Sequence, residues 1–172
     1  MKHILLLFII LMPLLTKGQD RDVYYVGING ISTTKGIFSN PLVGINLTKS
    51  KLQVGLLVGS SFVNNERVMG LKGEFIYLPN EERADEFNFH FIGSINYFKN
   101  SISVGNAETQ TNILQLTFGY GFDFQIIKNL TLNSNFGLGP LVEIREFNFD
   151  TNSPKYKWGF AGLISLGINY QL

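Results

Sequence analysis

The stretch LQLTFGYGFDFQI, from Leu114 to Ile126, alternates with a period of two over its whole length. One set of positions is large and apolar: Leu114, Leu116, Phe118, Tyr120, Phe122, Phe124 and Ile126. The positions between them are small or polar and include Gly119, Gly121 and Asp123. Such alternation indicates a β-strand with two different faces. Because one face carries glycine and a carboxylate, this stretch alone does not decide which face points inward.

The composition excludes several classes of function. The 172 residues are 45% hydrophobic and only 16% charged, below the usual quarter, and the net charge is +1. This balance provides no electrostatic basis for binding nucleic acid. The chain has no cysteine and two histidines, one of them at position 3. We therefore expect no disulfide, no metal site and no cofactor.

The first residues have the pattern of an export signal. A basic Lys2 precedes an apolar run from Ile4 to Leu15, and the small residues Thr16 and Gly18 follow. The run is too short to span a bilayer as a helix. We predict a signal peptide over residues 1–18, cleaved near Gly18, and one domain over residues 19–172. The alternative is an N-terminal membrane anchor.

Eight alternating segments follow the signal region. They lie near residues 22–31, 41–49, 51–60, 68–78, 87–97, 113–126, 130–144 and 158–172. Each is close to the length of about ten residues with which a tilted strand crosses a membrane. The sequence therefore predicts an all-β fold, an eight-stranded antiparallel up-and-down transmembrane β-barrel.

The connections between these segments differ in length on the two sides. Tight turns at Thr48–Lys51 and Ile127–Leu130 fall on the side of the termini. The opposite side has longer, polar connections at residues 33–40, 61–67, 98–112 and 145–157. Short periplasmic turns and longer external loops are typical of outer-membrane barrels.

The two faces of the predicted strands have opposite character. No charged residue falls on the apolar face, where a charge would cost roughly 2–4 kcal/mol at the bilayer midplane. The other face is polar and rich in glycine, which suits the crowded interior of an eight-stranded barrel. We therefore expect the apolar face to contact lipid. The alternative is a soluble periplasmic β-barrel that binds an apolar ligand inside.

The last strand, WGFAGLISLGINYQL from Trp158 to Leu172, resembles the C-terminal strand of Gram-negative outer-membrane barrels. Leu172 stands where that family usually ends in Phe. The chain as a whole is similar to small barrels of the outer-membrane protein A, X or W type and to the PorT-like barrels of Bacteroidota. The resemblance implies a bacterial outer-membrane location, contact with outer-membrane lipid, and recognition of the last strand by the barrel assembly machinery. We further expect a monomer, and from the net charge we expect no nucleic-acid partner.

Charged residues on the polar face predict a network inside the barrel. The cations Lys51, Lys72 and Arg145 balance the anions Glu74, Asp123 and Glu143. We expect the network to comprise Lys72, Glu74, His90, Asp123, Asn133, Glu143 and Arg145. The tight turn at Ile127–Leu130 places Asp123 near Asn133 as a hydrogen-bond partner. A self-neutralising polar plug is the preferred interpretation, and an ion path is the alternative.

His90, Ser94 and Glu74 are the candidate catalytic residues of an alternative hypothesis. They are the residue types of a nucleophilic triad, and the predicted hairpin places Glu74 opposite His90 or one diagonal away. Some eight-stranded outer-membrane barrels modify lipid A, but the deacylases among them have His and Ser two positions apart on a lipid-facing rim. His90 and Ser94 are four apart and face inward. We therefore predict a non-enzymatic protein.

Two further groups of residues complete the predicted functional surface. Aromatic residues near the strand ends are expected to anchor the barrel at the two membrane interfaces: Tyr24, Tyr77, Tyr97, Trp158 and Tyr170. The outer loops at residues 100–112 and 145–157 are expected to contact a protein or another surface ligand. Together these features predict a surface or scaffold protein.

Overall fold

The computed structural model describes residues 24–62, 67–79, 87–104, 107–147 and 155–172. Eight strands form a closed antiparallel barrel in chain order, and β8 pairs with β1. The strands are β1 Tyr24–Thr33, β2 Gly36–Asn46, β3 Ser50–Ser61, β4 Arg67–Tyr77, β5 Phe87–Val104, β6 Ala107–Ile127, β7 Leu130–Phe147 and β8 Lys155–Gln171. The predicted fold class is confirmed. The predicted signal peptide, residues 1–18, lies outside the described residues.

None of the described residues form a helix that is long and apolar enough to cross a membrane. We call the end of the barrel that holds Tyr24 and Leu172 the inner end, and the opposite end the outer end. The turns at the inner end include Lys128–Asn129, between β6 and β7. At the outer end Thr34–Lys35 joins β1 to β2.

The strand registers are staggered around the barrel. Successive partners of Tyr24 pass through every strand and reach Gly162 on β8. The carbonyl of Gly162 accepts a hydrogen bond from the backbone N–H of Thr34 at 3.3 Å, beside the outer end of β1. One circuit therefore climbs ten positions along the chain, from Tyr24 to Thr34. This stagger accompanies the tilt of strands in a closed barrel, and it brings side chains of distant strands together inside.

Four of the strands are longer than a membrane span requires. β1 to β4 have 10 to 12 residues, close to the 9–11 or so that a tilted strand needs, whereas β5 to β8 have 17 to 21. The pairing of β4 with β5 ends at Met69 and Lys99, and that of β1 with β8 ends at Thr33 and Leu163. The additional length of β5–β8 therefore projects beyond the outer end of β1–β4. We call this projecting part the wall.

The wall includes residues that were predicted to form outer loops. Residues 100–112 are not a loop, because β5 and β6 continue through them and pair as far as Val104 and Ala107. Residues 105–106 lie outside the described residues. Similarly, β7 extends to Phe147 and β8 begins at Lys155, so only residues 148–154 of the predicted loop 145–157 remain outside the strands and outside the described residues. The sequence of residues 100–112 is rich in Ser, Thr, Asn and Gln, so it resembles that of a loop.

The apolar face predicted from the alternation forms the outer surface of the barrel. In the stretch from Leu114 to Ile126, Phe118 is 67% exposed, whereas Gly121 and Asp123 are buried inside. The expected interface aromatics all lie on the outer surface with exposed side chains: Tyr24, Tyr77, Tyr97, Trp158 and Tyr170. An exterior this apolar is suited to lipid and not to water.

The interior differs from the expected uniformly polar lumen. Buried apolar side chains from all eight strands pack together toward the outer end, and we call this cluster the apolar layer: Ile31, Phe38, Leu57, Val68, Phe98, Ile113, Leu141, Ala161 and Leu163. The rings of Phe38 and Phe98 stack with their centroids 4.8 Å apart. Phe38 belongs to residues 33–40, predicted as a loop, but it lies in β2.

Candidate functional site

Polar side chains fill the barrel between the apolar layer and the inner end. Of the predicted network, Lys72, Glu74, His90, Asp123 and Asn133 are buried in this part of the interior. Their strands place them there because inward and outward positions alternate along each strand. A buried ionised group is costly unless it is paired, so the contacts of these residues decide what the arrangement does.

One chain of contacts runs from β1 to β4. The Tyr25 hydroxyl donates to Oε1 of Gln53 at 2.9 Å, and the Gln53 amide donates to Glu74. The ammonium of Lys72 lies 2.5 Å from Oε2 of Glu74. Gly44, on the intervening β2, makes this series of contacts possible, because a Cβ at this position would overlap the Tyr25 ring. The glycine thus leaves space for an aromatic side chain to reach across a neighbouring strand.

A second chain of contacts crosses the interior near the inner end. Nζ of Lys51 on β3 lies 2.5 Å from Oδ2 of Asp123 on β6. Nδ1 of His90 is 3.8 Å from the same carboxylate oxygen, and its Nε2 is 2.7 Å from Oδ1 of Asn135. Gly121 is opposite His90 in the β5–β6 register, and a Cβ there would overlap both His90 and Asn135.

The expected hydrogen bond between Asp123 and Asn133 is not formed. The two residues are register partners, as the tight turn implied. However, Asp123 pairs with Lys51, and the Asn133 amide donates to Oδ1 of Asn29 at 3.4 Å. A lysine three strands away is a better partner for a buried carboxylate than a neighbouring amide, because it neutralises the charge.

The candidate catalytic residues do not assemble into a triad. Glu74 is opposite Ser94 and not opposite His90, so the predicted register was wrong. The Ser94 hydroxyl is 2.5 Å from the Thr117 hydroxyl, and His90 binds Asn135. The error arises because β4 ends at Tyr77 and the first residues of β5 pair with β6, so the connection is longer than the sequence pattern suggested.

A third ion pair closes the outer end and was not predicted. Lys35, in the turn between β1 and β2, pairs with Glu143 on β7. In the sequence, Lys35 falls in the predicted external loop 33–40, whereas Arg145 is one of the three predicted interior cations. The side chain of Arg145, on β7, lies outside the described residues. The lysine was overlooked because only the closed geometry of the barrel brings the β1–β2 turn close to β7.

The interior is therefore closed by three levels of contacts. Lys51–Asp123 crosses it near the inner end, the apolar layer fills the outer part, and Lys35–Glu143 lies at the outer end. Each acidic side chain that the structure describes, Glu74, Asp123 and Glu143, has a lysine partner. Within the described ranges no group of His, Cys, Asp and Glu side chains is arranged to hold a metal ion. The arrangement neutralises charge and fills space.

Comparison with solved structures identifies the same architecture in outer-membrane barrels. The chain is similar to the N-terminal β-barrel domain of Pseudomonas aeruginosa OprF, with a TM-score of 0.59, 10% identity, and coverage of 88% of this chain and 100% of that one. It is similar to Neisserial surface protein A, with a TM-score of 0.61, 10% identity and coverage of 88% and 98%. A major outer membrane protein from Thermus thermophilus gives a TM-score of 0.51, 12% identity and coverage of 86% and 97%.

At these identities the likeness concerns the fold. No protein-family model matches the sequence, and no curated protein matches it. The chain thus has the fold of eight-stranded outer-membrane barrels, with an apolar exterior and a filled interior.

Proposed function

We propose that this chain is a non-enzymatic integral protein of a bacterial outer membrane, acting as a surface or scaffold protein through the wall at its outer end. The apolar exterior supports membrane insertion, since a large exposed apolar surface is otherwise a liability. The similar structures named above are outer-membrane or surface proteins, which agrees with this location. The expected contacts with outer-membrane lipid and with the barrel assembly machinery through the last strand are part of this proposal.

The proposal rests mainly on one contrast. The interior of the barrel is filled, whereas β5–β8 extend beyond the part of the barrel that crosses the membrane. An eight-stranded barrel has an interior just wide enough for side chains, and here three ion pairs and the apolar layer occupy it. Transport through the lumen has no support in this arrangement. The wall, in contrast, is not needed to cross the membrane, so its length favours a role outside it.

The burial of the candidate catalytic residues supports a non-enzymatic role. His90 is 0% and Ser94 is 6% exposed, and both face the lumen. An acyl chain in the surrounding lipid would have to cross the barrel to reach them. Their hydrogen bonds to Asn135 and Thr117 are those of residues that fill a polar core.

Cysteine labelling tests the proposed location and orientation. The chain has no cysteine, so each introduced cysteine is the only one in the protein. We expect a membrane-impermeant maleimide to label Asn152→Cys, between β7 and β8, on intact cells. Lys128→Cys, in an inner turn, is expected to react only after the outer membrane is permeabilised. Labelling of Lys128→Cys alone on intact cells, or recovery of the protein in the soluble fraction, would contradict the proposal.

A shortened wall tests the proposed interaction role. In this variant residues 101–110 are replaced by a two-residue turn, which leaves the strands that cross the membrane intact. We expect the variant to insert with unchanged heat-modifiable migration on gels, but to lose the proteins that cross-link to the full-length barrel on intact cells. Recovery of the same cross-linked proteins with both forms would contradict a role for the wall.

A further inference from the structure

The charged side chains that the structure describes are unevenly distributed between the interior and the surface. The acidic side chains that the structure describes, Glu74, Asp123 and Glu143, are all inside, and each is 4% exposed. Among the side chains that the structure describes, the exposed charged ones are all basic: Lys49, Arg67, Lys99, Lys128 and Lys157. The described part of the surface therefore carries positive charge, which favours anionic over cationic partners.

Two of these cations are neighbours on the outward face at the outer end. Lys99 on β5 is the register partner of Met69 on β4, and Arg67 is two positions beyond Met69 toward the outer end. Diagonal neighbours of this kind have Cα atoms roughly 7–8 Å apart. Both side chains are long and exposed, and neither forms an ion pair with another described residue. They are thus able to converge on one anion.

The surroundings of this pair match a lipid at the membrane surface. Arg67 begins β4, and Lys99 is the last residue of β5 that pairs with it, so both lie where the span of β4 ends. Tyr97 lies two positions below Lys99, and its hydroxyl donates to Oδ1 of Asn112 at 2.9 Å. Asn112 is the register partner of Lys99, and its two amide N–H donors bond to no other residue that the structure describes.

The surface directly below the pair is apolar. The exposed side chains of Met69, Leu71 and Ile95 continue from it toward the inner end on β4 and β5. A ligand that satisfies both parts has an anionic head and hydrocarbon chains. Phosphate fits the head, because an Arg guanidinium binds its oxygens bidentately and a Lys ammonium adds a point charge.

We infer that Arg67 and Lys99, with Asn112, form a binding site for the phosphate of a phosphorylated glycolipid in the outer leaflet, whose acyl chains lie along Met69, Leu71 and Ile95. The inference rests on the proposed insertion in the outer membrane and adds a lipid class to it. A soluble phosphoprotein would leave the apolar part of the surface uncovered, so a lipid is the single occupant that matches the whole site.

Native mass spectrometry of the folded barrel in detergent, with diphosphoryl lipid A as the probe, tests this site. We expect a one-to-one complex with the wild type. Replacing both cations, Arg67→Gln with Lys99→Gln, is expected to weaken binding about tenfold to thirtyfold, as follows from removing two cations next to an anionic headgroup. The matched control is Lys49→Gln with Lys128→Gln, which removes the same charge from the inner turns and should bind like the wild type.

A charge-conserving variant, a lipid without phosphates and a folding control distinguish the possible reasons for weak binding. Arg67→Lys with Lys99→Arg keeps both charges and is expected to retain most of the binding, and lipid A without phosphates should bind weakly to every form. Unchanged binding in the folded Gln variant, or an equal loss in the control, would overturn the inference. Heat-modifiable migration reports folding in each case. A chain that dissolves without detergent would instead contradict the proposed function itself.

Discussion

The ammonium of Lys51 on β3 reaches the carboxylate of Asp123 on β6, with 2.5 Å between Nζ and Oδ2. The two strands are separated by β4 and β5, so the pair links two strands that share no backbone hydrogen bonds. The Lys51 side chain is largely buried, and that of Asp123 is almost fully buried. The pair thus acts as a cross-link near the inner end, where the interior is polar.

Breaking this pair is expected to destabilise the barrel. Lys51→Met leaves the buried Asp123 carboxylate without its cation, which typically costs about 3–5 kcal/mol. Urea titration of the refolded barrel in lipid vesicles measures the loss. Adding Asp123→Leu is expected to recover most of it, because no unpaired charge remains. Lys128→Met, at an exposed inner turn, is the control and should change stability by no more than about 0.5 kcal/mol. Equal effects of Lys51→Met and Lys128→Met would show that the pair contributes little.

A methyl group at Gly44 is expected to disturb the contact between Tyr25 and Gln53. The Cβ of Gly44→Ala would overlap the Tyr25 ring, and overpacking of this kind costs about 1–3 kcal/mol. Gly30→Ala is the matched control, because a Cβ there meets only the Leu166 carbonyl at 3.8 Å, an ordinary contact. In the same urea titration we expect Gly44→Ala to be destabilised and Gly30→Ala to be unchanged or more stable. Combining Gly44→Ala with Tyr25→Ala should cost less than the sum of the two. An additive result would refute the proposed overlap.

The filled interior is expected to carry no steady ion current. In planar bilayers the purified barrel should give no resolvable conductance steps, since the apolar layer and the ion pairs at both ends occlude the lumen. Phe98→Ala removes one of the two stacked rings and is expected to cost about 3–5 kcal/mol of stability without opening a pore. Reproducible, ion-selective steps from the wild type would contradict the closed interior.

Overexpression of the chain is expected to leave lipid A chemically unchanged. His90 and Ser94 bind Asn135 and Thr117 inside the barrel, so they are not available to attack an acyl ester. Mass spectrometry of lipid A should therefore give the same spectrum with the vector alone, the wild type, and His90→Ala with Ser94→Ala. A new lipid A species that appears with the wild type and disappears with the double variant would establish the enzyme hypothesis.

The alternation along the strands was sufficient to predict the barrel, and the absence of charge on one face, with glycine on the other, predicted which face points outward. This is because the period of two is local, and because the membrane reverses the usual placement of apolar residues. Leu56 and Leu57 illustrate the limit of such reasoning. They are adjacent and equally apolar, yet Leu56 faces outward and Leu57 belongs to the apolar layer. Sequence alternation alone does not reveal that the barrel closes over a second, internal apolar cluster.

The partners inside the barrel could not be predicted, because they depend on the stagger of the closed sheet. Lys51 and Asp123 are far apart in the sequence and lie on strands that do not pair, and Lys35, in the β1–β2 turn, is likewise far in the sequence from Glu143 on β7. Glu74 shows the same dependence within one hairpin. A small error in the predicted register made His90 its expected partner, whereas the structure places Ser94 opposite it. The residue types of the polar network were predictable, but its pairs were not.

The fluorescence of a Phe118→Trp, Trp158→Phe variant tests most directly whether the apolar face contacts lipid. Trp158 is the single tryptophan of the chain and lies in the wall, beyond Leu163, where the pairing of β1 with β8 ends. Phe118 lies in the part of β6 that crosses the membrane, and its side chain is 67% exposed on the outer surface. In vesicles we predict blue-shifted emission from position 118 that is quenched by lipids brominated on their acyl chains. Emission typical of tryptophan in water, unaffected by brominated lipid, would contradict contact between the apolar face and lipid.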